Sequence, residues 1–174
     1  MLRAPTQHEV EEMRSWRNHL MNRDVSKRNH EISVEEHLDW WERTRCDPTR
    51  EVLVLEIDGA PCGVVTYADI DLESSPSRAT WGFYLDYDGL ARRGAVLVAW
   101  HRMMKAAIDH AFDVLNVDVL DAEVLEHNHA VRLTNKRFRF AEGVPRAIVV
   151  DGSELTVLPV SLKRECRRTS RGGS

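Results

Sequence analysis

The chain has 174 residues, 43% of them apolar and 30% charged, with a formal net charge of -4 at neutral pH. That length suits one domain with its own core, and the composition is that of an ordinary soluble globular protein. The mildly negative balance gives no reason to expect nucleic acid or an anionic membrane as partner, and no apolar run approaches the roughly 18 residues of a membrane span. No signal peptide is read at the start, and Cys46, Cys62 and Cys166 are odd in number without metal or redox spacing, so a reduced cytoplasmic setting is expected.

From about Gln7 to Leu20, Val10, Met13, Trp16, Arg17 and Leu20 recur at helical spacing. A polar connection from Met21 to Ile32 follows, too charged for a strand and without helical period. Ser33 with Glu36 three residues on spells a capping box, so a second helix is expected from Ser33 to about Thr44. Leu38 and Trp41 would face the core there, and His37 reads as an exposed helix residue. Glu51 to Ile57 alternates and is β-branched, Asp58-Gly59 is a hairpin turn, and Cys62 to Ile70 is the returning strand. A loop from Asp69 to Pro76 leads to an antiparallel strand from Arg78 to Asp86.

Tyr87 to Gly94 reads as a loop, and a long helix runs from there to about Val114. Its buried face is Val96, Trp100, Met103, Met104, Ala107, Ile108, Ala111 and Leu115. Arg92 and Arg93 stand beside the start of that helix, where unpaired amides favour an anion. Alone, such a loop is more often simply solvated. A strand from Val117 to Leu125 is followed by a short helix opening on His127-Asn128. A hairpin pairs Arg146 to Val150 with Glu154 to Leu162 around Asp151-Gly152. The expected fold is α+β: one domain over residues 1–164, with a mixed, mostly antiparallel twisted sheet of about six to seven strands and four helices. A basic flexible tail over residues 165–174 completes the chain.

Several of these pieces together carry a resemblance. Ala111-Phe112, Leu115, Glu123-Val124, Asn128-x-Ala130-x-Arg132-Leu133-x-x-Lys136 and Phe140-x-Glu142-Gly143 resemble a characteristic block of the GNAT superfamily of N-acetyltransferases. Arg17-Asn18 with Ile32-Ser33-x-Glu35-Glu36-His37-Leu38-x-Trp40-Trp41 is similar to a narrower branch. That branch holds sugar-nucleotide N-acetyltransferases of the pseudaminic acid pathway and ribosomal-protein N-acetyltransferases. The resemblance implies a splayed central strand pair and acetyl-CoA as co-substrate. Main-chain groups of Phe83, Tyr84 and Leu85 would bind the pantetheine arm, and Arg92, Arg93, Gly94, Ala95 and Val96 the pyrophosphate. Asn128 would lie near the thioester, with Lys136 also on the cofactor side.

Two departures stand out. Ala91 occupies the place of the usual arginine or glutamine of the phosphate loop, and Val96 is bulkier than the usual glycine or alanine. Thr134 stands where the resemblance places a tyrosine acid, which leaves water or Tyr84 to protonate the leaving sulfur. Glu123 reads either as a base acting through water or as a surface ion-pair partner, and Asp121 on the same strand face would raise its pKa by repulsion. Arg17 and His30 read as acceptor contacts or as plain structural and surface residues, Arg17 then pairing with Glu12 or Glu36. His127 and His129 lack a third ligand, so no metal is expected.

The implied acceptor is a small-molecule amine, foremost an amino-sugar nucleotide. An aminoglycoside, which Glu31, Glu35 and Glu36 would suit, a protein N-terminus, and a non-catalytic acyl-CoA-binding role remain as alternatives. The hairpin from Arg146 to Leu162 could supply the edge of a homodimer.

Overall fold

Alternation along Glu51–Ile57 sets the two faces of the molecule, because successive strand residues point to opposite sides. Val52 and Val54 face one side, and Leu53 and Leu55 the other. In the computed structural model, which describes residues 1–167, these residues form β2, paired with β1 (Leu2–Arg3) on one edge and β3 (Ala60–Asp71) on the other. The hairpin turn sits at Asp58 and Gly59, with φ of 53° and 79°, the pair of left-handed residues a type I′ turn requires. Strand β4 (Arg78–Leu85) continues the antiparallel order, and β5 (Val119–Leu125) lies parallel beside it. Strand β8 (Ser153–Lys163) then pairs with β5, with β6 (Ala141–Glu142), and with β7 (Arg146–Val150). The sheet within the described residues thus has eight strands, the two-residue β1 and β6 being too short to show in the sequence pattern.

Helices α1 (Glu9–Asn18) and α3 (Val34–Arg45) cover one face, with the four-residue α2 (Leu20–Arg23) between them. Met13 packs there against Val52, Val54 and Val64, with Trp16, Trp40, Trp41 and Tyr84 around them. Leu38, expected inward, is 45% exposed, because Trp40 and Trp41 take the sheet-facing positions. The capping box is half formed. Ser33 Oγ accepts from Glu36 N at 3.1 Å, but the Glu36 carboxylate turns to His30 instead.

The other face carries α5 (Val96–Asp113), where Met103, Met104, Ala107, Ile108, Ala111 and Phe112 pack onto Leu53, Leu55, Val65 and Leu85. Between β4 and α5 the expected loop is a helix, α4 (Tyr87–Arg92), capped by Asp86, whose Oδ1 accepts from Gly89 N at 2.9 Å. After β5 comes α6 (His129–Arg137).

The tail was expected to be flexible over residues 165–174, and its first residues are docked. Arg164 to Cys166 form a 3-10 turn, and Arg164 Nη1 donates to Phe112 O at 2.7 Å. Arg167 pairs with Asp113 at 2.5 Å and with Asp109 at 2.9 Å. Guanidiniums on carbonyls and carboxylates at the end of a helix answer its negative pole, which a reading of the segment as merely basic misses. The rest of the expected tail lies outside the described residues. Among the described residues no helix is long and apolar enough to cross a membrane.

Candidate active site

The parallel pair β4–β5 holds register only over Arg78–Thr80 and Val119–Asp121. Beyond that the strands part, and a cavity of 340 Å³ opens between them. Trp81 and Phe83 of β4, Ala122 to Leu125 of β5, and Trp100 of α5 form its walls. Phe83 stacks on Trp81 at 5.5 Å and meets Trp100 edge-on at 5.4 Å, which gives one wall an aromatic lining.

Main-chain bonding along β4 decides what this gap offers. In an antiparallel pair, alternate residues direct both backbone groups to the same neighbour. Asp86 N bonds Cys62 O at 2.9 Å, so the even-numbered residues, Tyr84 included, serve β3. Odd-numbered residues face the gap. Leu85 is closed there by Asn22, whose Nδ2 donates to Leu85 O at 2.8 Å and whose Oδ1 accepts from Leu85 N at 3.4 Å. Of the three residues expected to offer main-chain groups, Phe83 alone keeps them toward the gap. Tyr84 and Leu85 are corrected by their partners, Val64 and Asn22.

Glu123 lines the same cavity from β5. Lys27 Nζ donates to it at 2.5 Å, and Arg146 donates to its other oxygen. Partial burial would raise its pKa, but hydrogen bonds from Lys27 and Arg146 outweigh that and hold it below the ordinary range. The expected upward shift from Asp121 is therefore overturned. Asp121 is itself neutralised by Arg78 at 2.8 Å. The ion-pair reading of Glu123 holds, and two cations rather than one satisfy it.

Helix α6 contributes Asn128, Val131 and Asn135 to the cavity. Asn128 Oδ1 caps the helix by accepting from Val131 N at 3.2 Å, and its Nδ2 has no protein partner among the described residues. Asn135 is 2% exposed and its Oδ1 has no partner among the described residues. Thr134 does not line the cavity. Its hydroxyl donates to Ala130 O at 2.9 Å, the back-bond usual for helix threonines. The cleft-facing position on this turn is thus Asn135, one residue beyond the expected one. Its sequence signal was the four-residue step from Val131.

Tyr84 is no better placed as an acid. Its ring packs on the α1–α3 side of the sheet, opposite Phe83, and burial pushes its phenol pKa up. Lys136 stands outside the cavity, 3.9 Å from Glu142, which Arg132 also binds at 3.0 Å.

The pyrophosphate residues also lie outside the cavity. Arg93 Nε donates to Gly89 O at 3.1 Å, Gly94 turns the chain with φ of 62°, and α5 begins at Val96 with no side-chain cap. Arg92 lines a separate cavity with Asp88 and Glu12. Trp100, one turn along α5, is in the wall, so the uncapped amides of Val96 and Leu97 lie one turn beyond it. A long ligand leaving the gap along α5 reaches them.

On the acceptor side, residues 25–28 cross the cavity mouth, and Arg17 and Asn22 reach it from α1 and α2. Arg17 forms no ion pair with Glu12 or Glu36. Its Nη2 donates to Arg28 O at 2.8 Å, and its Nη1 is buried without a partner among the described residues. His30 Nε2 lies 3.0 Å from the Glu36 carboxylate. His37, expected on the surface, is 4% exposed, bonded to Val10 O at 2.8 Å and stacked on Trp40 at 5.1 Å. It ties α3 to α1.

The spermidine N-acetyltransferase of Vibrio cholerae, in a structure with CoA and spermine, superposes on this chain with a TM-score of 0.75. That alignment covers 95% of each chain at 16% identity. A ribosomal-protein-alanine N-acetyltransferase from Brucella melitensis aligns at 20% identity and a TM-score of 0.71, over 94% of this chain and 99% of its own. The fold is the GNAT fold. No family model matches the sequence, and no curated protein matches it. In the GNAT fold of this chain, the splay expected between β4 and β5 is present. Sequence reasoning did not find the residues that shape it: Asn22, which ties off the main chain of Leu85, Lys27, Trp81, Trp100 and Asn135.

Proposed function

We propose that this chain is an acetyl-CoA-dependent N-acetyltransferase acting on the primary amine of a small molecule. The observation that supports it best is the main chain of Phe83, which faces the gap beyond the last paired residues of β4 and β5. An extended ligand rich in amides can pair there as a strand would, in a cavity with one aromatic wall. Acetyl-CoA has such an arm, and when bound it supplies a thioester carbon open to attack. The Asn128 Nδ2 is a side-chain donor on the cavity wall, and Asn135 offers an acceptor. Anionic phosphates leaving the gap would meet the uncapped start of α5, with Arg92 and Arg93 beside it.

Glu123 draws an incoming ammonium toward the mouth, in exchange for Lys27 or Arg146. Held ionised by those cations, it is a weak proton acceptor, so the amine enters neutral or loses its proton to water. Tyr87 is the phenol in the cavity lining, and burial keeps it protonated, so the departing sulfur takes its proton from Tyr87 or from water. Direct attack in a ternary complex is the reading consistent with one continuous cavity.

An amino-sugar nucleotide is the acceptor we favour on the sequence run from Arg17 to Trp41. An aminoglycoside is less suited, since Glu36 is already engaged by His30. The protein works as a monomer or homodimer on this reading, with no nucleic acid.

Thermal unfolding with and without acetyl-CoA tests the cofactor site. A ligand bound only by the folded chain stabilises it by about 2.7 kcal/mol at a hundredfold excess over Kd. Thiol release with an amine panel then separates an enzyme from a binding domain. No midpoint shift removes the proposal; a shift without turnover on any amine leaves only the non-catalytic acyl-CoA-binding role.

A further inference from the structure

A second cavity, of 330 Å³, adjoins the first on the α1–α3 side of the sheet. The two share Arg17 and Arg28, so a molecule at the mouth of one can extend into the other. Arg43 and His30 also line the second cavity, with Trp40 and Tyr84 as its aromatic surface. Glu36 is its single acid among the lining residues, and His30 holds that carboxylate at 3.0 Å. Arg28 has Asp151 at 3.8 Å across an exposed surface. Among the described residues, neither Arg17 nor Arg43 has a carboxylate within ion-pair distance, and Arg17 Nη1 is buried with no hydrogen bond at all.

A guanidinium taken from water without a countercharge is costly, and a guanidinium fork matches the oxygens of a carboxylate or phosphate. We infer that the acceptor is an amine that also carries a carboxylate or phosphate, and that Arg17, with Arg28 and Arg43, holds that anion in the second cavity. This rests on the acetyltransferase reading of the first cavity. It separates the chain from any enzyme for polyamines, because a second ammonium placed there would face three guanidiniums. Arg17, at the boundary of the cavities, then sets the distance between the anion and the reacting amine.

Matched amines test this by thiol release from acetyl-CoA: glucosamine 6-phosphate against glucosamine, 4-aminobutyrate against its methyl ester, and spermidine. The anionic member of at least one pair is expected to exceed its neutral partner tenfold or more in kcat/KM, mostly through KM. The pair that shows it tells phosphate from carboxylate. Arg17→Gln and Arg43→Gln should each shrink that ratio. Equal or better use of the neutral members, or of spermidine, overturns the inference while leaving the enzyme reading intact.

If no amine in the panel is acetylated, turnover does not rank them, and binding decides the subsite. Unfolding midpoints are then titrated with glucosamine 6-phosphate and 4-aminobutyrate at ionic strength matched with KCl. A rise in the parent protein that is smaller in the variants upholds the anion site. No rise, or the same rise in all, overturns it. Arg43, being exposed, keeps the comparison valid should Arg17→Gln fail to fold.

Discussion

Lys27 reaches Glu123 from the loop over the cavity mouth, and Arg146 reaches it from the β7 edge. A carboxylate so placed is ionised from its ordinary pKa of 4.5 upward and loses its charge only at pH below that. Between pH 6 and 9 it therefore does not titrate, and any acidic limb in that range belongs to the amine. We expect Glu123→Gln to lower kcat/KM by about tenfold, less than the roughly hundredfold or more that a positioned acid or base contributes, because it attracts the amine and does not take its proton. The profile from pH 6 to 9 should run parallel to that of the parent protein. An acidic limb that vanishes in the variant would restore Glu123 as the base. The sequence showed a carboxylate on the right strand. It could not show two cations from segments 96 residues before and 23 after it. Asn135 and Thr134 differ by one helix position, and only the packed orientation of α6 tells which faces the gap.

At the scale of elements, strands and hairpins were legible because their signals are local: alternation in Glu51–Ile57, and turn residues at Asp58-Gly59 and Asp151-Gly152, all four with positive φ. Helix α4 was not legible. Six residues are too few to show a helical period, and Gly89 within them reads as a loop residue. The structure gives that glycine a reason, since a Cβ there would stand 1.8 Å from the capping Asp86 Oδ2. The carboxylate can swing away, so Gly89→Ala should cost only the cap, about 1 kcal/mol. Gly63 is the contrasting case. Its Cβ would stand 2.8 Å from Tyr84 O and 2.7 Å from Leu85 Cδ2, where strand backbone and packed core must move. Gly63→Ala should therefore cost about 2–3 kcal/mol, in the range of overpacked cores. It displaces β4 next to the gap, so it should also weaken acetyl-CoA binding. Urea unfolding of both variants checks the order; equal costs would mean that β3 and β4 can separate freely.

Across the whole molecule the two sides of the sheet are unequally held. Helix α5 seats a continuous core, whereas α1 and α3 rest on Met13, Val52, Val54 and Val64 and depend on polar ties. One is His37 on Val10 O, and another is Glu9, held by Arg3 and Thr6. Burial pulls the His37 pKa below its ordinary 6.5, so the unfolded chain binds a proton there that the folded chain refuses. The stability this tie supplies is complete above pH 6.5 and is lost as pH falls through the folded value. Glu9 follows lower down, for its hydrogen bonds from Arg3 hold its pKa at about 2 against an ordinary 4.5. Acid should thus loosen the acceptor side before the α5 side, since local opening follows the weaker contacts. In native-state hydrogen exchange, protection of α1 and α3 amides should fall by up to about tenfold per pH unit below 6.5, one proton's worth, while α5 holds. His37→Gln, which keeps a donor for Val10 O without the titration, should remove that fall between pH 6.5 and 5. If α3 and α5 lost protection together in the parent protein, the two layers would be one cooperative unit. Arg17 would then sit on as firm a support as the cofactor gap.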